Sequence, residues 1–124
     1  MTMNAQEYVA GLVEKARKAQ AIANSFTQED VDLITAAVTY NLTKEDKVRM
    51  YAEMLVEESG MGIAEDKVAK IYGKVWGSYL QMKNEKSVGL IEVDEAHGLE
   101  KWAKPMGVIA GIMPVTNGEA TPIV

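Results

Sequence analysis

The residue whose type and place best suit chemistry is Asn117. It follows the continuously apolar run 107–113 and Pro114, and lies between Thr116 and Gly118. Ligands in α/β folds bind at the carboxyl ends of parallel strands. A side-chain amide there can donate a hydrogen bond to an oxyanion as it develops. Asn before Gly is also an ordinary turn signature, and on residue types that role comes first. Other catalytic templates fail. One histidine, His97, and no cysteine cannot assemble a usual zinc set. His97 precedes Gly98 in a polar stretch and reads as a surface residue. No Gly-x-Ser-x-Gly elbow is present. Gly107 and Gly111 make neither a dinucleotide fingerprint nor a phosphate loop; close strand packing accounts for them.

Composition narrows the function further. In 124 residues, 13 Lys and Arg stand against 18 Asp and Glu, a net charge of −5. That balance offers no basic stripe for nucleic acid, so no nucleic-acid partner is expected. The absence of cysteine excludes a disulfide scaffold, thiolate metal sites and a thiol nucleophile within these residues. No apolar run approaches the ~20 residues that span a bilayer, and the first twenty residues mix Glu and Lys into their pattern, unlike a signal peptide. A cytoplasmic protein without a membrane partner is expected. Trp76, Trp102, Tyr72 and Tyr79 read as core or interface, and the eight methionines are scattered.

The elements that must position Asn117 follow from periodicity. Val9, Leu12, Val13, Ala16, Ala19 and Ala23 recur at helical spacing over 6–24. Thr27, with Glu29 and Asp30 behind it, is an N-cap for a second helix carrying Val31, Ile34, Ala37, Val38 and Leu42. Thr43 repeats the device before a third helix with Val48, Tyr51, Ala52 and Leu55, which stops at Gly60 and Gly62. A fourth runs over 65–82 with Val68, Ile71, Tyr72, Val75, Tyr79 and Leu80 inward. Four helices joined by short connections suggest a bundle. The period then falls towards two. Residues 87–93 and 99–103 predict a hairpin around a polar loop. The run 107–113 predicts a strand buried on both faces, as in a parallel sheet. Residues 120–124 look like the start of another element. A mostly helical chain ending where a sheet begins reads as the front of a larger α/β protein.

Three stretches taken together carry a resemblance. They are Ala19-Gln20 through Phe26-Thr27-Gln28-Glu29-Asp30-Val31-Asp32; Val56-Glu57-Glu58-Ser59-Gly60-Met61-Gly62 with Glu65-Asp66-Lys67-Val68-Ala69-Lys70; and Gly107-Val108-Ile109-Ala110-Gly111-Ile112-Met113-Pro114-Val115-Thr116-Asn117. In that order the chain resembles the N-terminal region of the CoA-acylating aldehyde dehydrogenases, and Lys86 to Ile91 matches a strand of that group. The resemblance covers nearly the whole chain.

It implies an α/β fold and a reaction. A cysteine thiolate attacks an aldehyde, hydride passes to NAD or NADP, and CoA takes the acyl group from the enzyme thioester. Asn117 matches the group's oxyanion-stabilising asparagine. Ile112, Met113, Pro114, Val115 and Thr116 match the segment lining the nicotinamide cleft, largely through main chain. The resemblance further implies residues 1–86 as the helical part of the cofactor-binding domain, 87–103 as an oligomerisation hairpin, and 104–124 as the first strand and turn of the cofactor sheet. Glu57, Glu58 and Asp66 become structural markers. The partners are a small-molecule aldehyde, CoA and further copies of the chain. Where the group continues Thr-Asn-Pro, this chain has Gly118 after Asn117, which changes the backbone there. The nucleophile lies downstream in the group, so these residues alone are expected to be an inactive fragment. The alternative is a non-catalytic helical interaction module derived from the same region.

Overall fold

A computed structural model of the chain describes residues 4–118 and Thr121. Four helices, α1 (Ala5–Ala23), α2 (Gln28–Thr43), α3 (Glu45–Ser59) and α4 (Ala64–Met82), precede strands β1 (Gly89–Asp94) and β2 (Leu99–Ala103) and a short 3₁₀ turn, Val115–Asn117. The chain divides into two compact units. One holds the residues up to Val31 with Lys86–Ala110; the other holds Asp32–Glu85 with the chain from Gly111. Neither unit therefore contains the expected four-helix bundle.

In the first unit, α1 starts where the Asn4 side chain accepts from the Gln6 N–H at 3.1 Å. No residue of α1 is buried; of its alanine-rich stripe Ala16 and Ala23 are half-buried and Ala19 is exposed. The Thr27 cap is present and reciprocal. Thr27 Oγ1 accepts from the Asp30 N–H at 3.2 Å, and the Asp30 carboxylate accepts from the Thr27 N–H at 2.9 Å. β1 and β2 form an antiparallel hairpin in which Leu90 faces Trp102 and Glu92 faces Lys101, leaving Ile91 as a bulge. Asp94 ties the loop by accepting from the His97 N–H at 3.1 Å, and Gly98 takes a φ of 64°. His97 is an exposed loop residue, as expected.

The expected strand over 107–113 does not form. Residues 104–114 join no helix or ladder, because β1 and β2 pair only with each other and no further strand exists among the described residues. A strand is completed by a neighbour's N–H and C=O groups, and apolarity alone does not supply them. Ile109 and Ile112 are consequently 76% and 97% exposed. Apart from Thr121, the element expected over 120–124 lies outside the described residues.

The core belongs to the second unit. Val48 and Ala52 of α3, each one turn apart, meet Ile71 and Val75 of α4, and all four are buried. Leu42, Ala64, Val68 and Tyr72 pack around them. Burying each large aliphatic here contributes about 1.5–3 kcal/mol. Thr43 differs from expectation. It is the last residue of α2, buried, with its hydroxyl donating to the Thr39 carbonyl at 2.7 Å, so Lys44 occupies the cap of α3 without a side-chain cap bond. A hydroxyl spent four residues back cannot cap forwards. Gly60 ends α3 in the left-handed conformation, φ 66°, its N–H on the Val56 carbonyl at 2.8 Å.

Candidate functional site

Pro114 starts the 3₁₀ turn at φ −75°, the value its ring imposes, and the Asn117 N–H reaches back to the Pro114 carbonyl at 3.4 Å. The Asn117 carbonyl in turn accepts from the Thr121 N–H at 3.1 Å. These local bonds put Asn117 at the end of a tight turn, half-buried, while residues 111–116 are exposed.

Two lysines of α4 hold this turn. Lys67 Nζ donates to the Thr116 carbonyl at 3.1 Å, and Lys70 Nζ donates to Asn117 Oδ1. Three residues apart, they lie on one side of α4, beside the buried Ile71. Room for the Lys67 stem comes from Gly62. A Cβ there would stand 3.2 Å from Lys67 Cε, and its φ of 78° suits glycine. The Gly60-Met61-Gly62 segment, read in the sequence as a helix stop, and the Lys67-to-Lys70 stretch, noticed only as part of a resemblance, thus act on the segment that carries Asn117. Sequence reasoning assigned these lysines no role. The one signal available was their spacing at the border of the apolar stripe.

Asn117 Nδ2 donates to Thr116 Oγ1 at 3.4 Å. A lysine ammonium only donates, so it fixes the amide oxygen on its own side and turns the NH₂ group away. An amide held this way presents an N–H to whatever lies beyond it. Of the other named residues, Ile112, Met113 and Val115 carry exposed side chains on the same segment. Gly118 has φ −59°, which proline itself accepts. What proline disfavours is a helical residue before it, so glycine at 118 leaves Asn117 free to occupy the 3₁₀ turn. Among the described residues no group of three or more His, Asp or Glu could hold a metal, and no helix is long and apolar enough to cross a membrane.

Over about 90% of its length the chain is homologous to acylating aldehyde dehydrogenases, at 36–44% identity, and matches an N-terminal region of such an enzyme. It is 44% identical over 113 residues to sulfoacetaldehyde dehydrogenase (acylating) of Bilophila wadsworthia, covering 91% of this chain and 24% of that protein. Succinate-semialdehyde dehydrogenase (acetylating) of Clostridium kluyveri is 37% identical over 124 residues, covering 98% and 26%. The bifunctional aldehyde-alcohol dehydrogenase AdhE of Escherichia coli K12 is 44% identical over 112 residues, covering 90% and 12%. The chain thus spans about a quarter of the length of the first two relatives. No protein-family model matches it.

Proposed function

We propose that these residues form the N-terminal part of a cytoplasmic, oligomeric oxidoreductase that converts an aldehyde, CoA and NAD(P)⁺ into acyl-CoA, NAD(P)H and a proton. Homology to acylating enzymes along nearly the whole chain supports the reaction type. The observation that carries the site is the amide of Asn117, clamped at its oxygen by Lys70 with its NH₂ turned away.

In this reading a cysteine thiolate, absent from these 124 residues and supplied from outside them, adds to the aldehyde carbon. The carbonyl oxygen then becomes an oxyanion, and an Asn117 N–H donates to it. A preorganised donor of this kind is worth about 10²–10³ in rate. CoA afterwards displaces the enzyme thiolate and carries the acyl group away.

The cofactor segment fits its group in character. Residues 111–113 join no helix or ladder, so their main chain is available to a ligand or a neighbouring strand, and Ile112, Met113 and Val115 offer apolar surface. Ile112, Met113, Pro114, Val115 and Thr116 would line the nicotinamide side. When bound, NAD(P)⁺ supplies the hydride acceptor. We assign residues 1–86 to the helical part of the cofactor-binding domain, 87–103 to an oligomerisation hairpin, and 104–124 to the first strand and turn of a Rossmann-like sheet. Exposed Val93, Leu99 and Trp102 on the hairpin support association there, since a lone two-stranded hairpin is marginally stable. The exposed 107–113 run supports pairing with a strand from outside these residues.

The test is Asn117→Ala in the cysteine-containing protein. A kcat for CoA-dependent aldehyde oxidation lower by about 10²–10³ is expected. An unchanged kcat removes Asn117 from the oxyanion role.

A further inference from the structure

We propose that Lys70 is a positioning residue for this reaction, fixing which end of the Asn117 amide faces the reacting oxygen. The inference rests on the acylating-dehydrogenase reading. The two ends of an asparagine amide are nearly equal in size, so packing alone selects poorly between them. Their chemical effect is opposite. An N–H aimed at an oxyanion stabilises it, whereas a carbonyl oxygen aimed there repels it.

Lys70 settles the choice. Its ammonium is donor-only, and it holds Asn117 Oδ1 from α4. Thr116 Oγ1 takes one amide N–H at 3.4 Å, and the second has no partner among the described residues. Lys67 anchors the same turn at the Thr116 carbonyl, 3.1 Å away. A cation on the amide oxygen also draws electron density from nitrogen, which strengthens the remaining N–H as a donor. The site is therefore a relay of one fixed charge through one amide.

Steady-state kinetics of the cysteine-containing protein decide this, with Lys70→Met, Lys70→Arg, Asn117→Ala and the double variant Lys70→Met/Asn117→Ala. Lys70→Met is expected to lower kcat roughly tenfold or more while KM for aldehyde and cofactor moves less than twofold. Lys70→Arg, keeping donor and charge, restores most of kcat. In the Asn117→Ala background Lys70→Met has no further effect, because the group it orients is gone. A Lys70→Met penalty that persists in that background overturns the proposal, as does a wild-type kcat for Lys70→Met. If Lys70→Met does not fold, Lys70→Arg still decides: a loss as large as that of Asn117→Ala counts against positioning by a donor. An enzyme insensitive to Asn117→Ala removes the oxyanion reading and Lys70 with it. Sensitivity to Asn117→Ala without sensitivity to Lys70→Met removes Lys70 alone.

Discussion

Gln28 Oε1 accepts from the backbone N–H of Ser87 at 2.8 Å, across 59 residues of sequence, and from Val88 N–H at 3.1 Å. The first residue of α2 thereby ties down the chain just before β1. Removing the acceptor leaves two main-chain donors to water or to nothing, at about 1 kcal/mol in local opening. Gln28→Leu is expected to speed amide hydrogen exchange at Val88 about fivefold, while Gln28→Glu, which keeps an acceptor, retains most of the protection. Equal exchange in the two variants counts against the tie.

Ile71 is 1% exposed, whereas Leu80, expected inward on the same helix, is 56% exposed because it lies about half a turn round from Ile71, away from α3. Ile71→Ala deletes methylenes that α3 surrounds and is expected to cost about 2–5 kcal/mol in denaturant unfolding. Leu80→Ala is expected to stay within about 0.5 kcal/mol. A comparable loss at both positions shows that the outer face of α4 is also covered.

Two glycines predict opposite signs for one substitution. Gly60 has φ 66°, where a Cβ is strained, so Gly60→Ala is expected to destabilise by about 1–2 kcal/mol. Gly118 has φ −59°, and a Cβ there meets Leu55 Cδ1 at an ordinary 3.6 Å. Gly118→Ala is expected to stabilise by about 0.4–1 kcal/mol through the unfolded chain. Thermal melts of the two variants read the signs directly.

Asp30 provides a pH dependence. The Thr27 backbone N–H, and then its hydroxyl, donate to the Asp30 carboxylate and hold its pKa below the ordinary aspartate value. A depressed folded pKa gives stability that is present above the unfolded value, about 3.9, and is lost as pH falls through the folded one. The start of α2 is therefore expected to fray below about pH 4. Asp30→Asn is expected to remove that acid-sensitive part. A carboxyl titration midpoint at or above the ordinary value, followed by NMR, contradicts it.

Much of this was legible in the sequence because it is local. The Thr27–Asp30 cap, the Gly60 stop and the inward places of Val48, Ala52, Ile71 and Val75 depend on residues within a few positions of one another, and the hairpin needs only its own loop. Thr43 misled because its hydroxyl has two possible directions, and burial against Thr39 chose the backward one. The strand expected over 107–113 illustrates the opposite limit. Its apolarity is real, but strand formation needs a partner that periodicity does not locate. Asn117 was visible by type, whereas Lys67 and Lys70 were not. Their role depends on α4 meeting a turn 47 to 49 residues away.

The central claim is the reaction class, and its most direct measurement is product formation by the cysteine-containing protein. Aldehyde, CoA and NAD(P)⁺ are supplied together, using the aldehydes named for its relatives, and acyl-CoA is quantified beside NAD(P)H. Equimolar acyl-CoA and NAD(P)H are expected, with no acyl-CoA when any one of the three is left out. NAD(P)H formed with free carboxylate in place of acyl-CoA, or no turnover of any of these aldehydes, contradicts it.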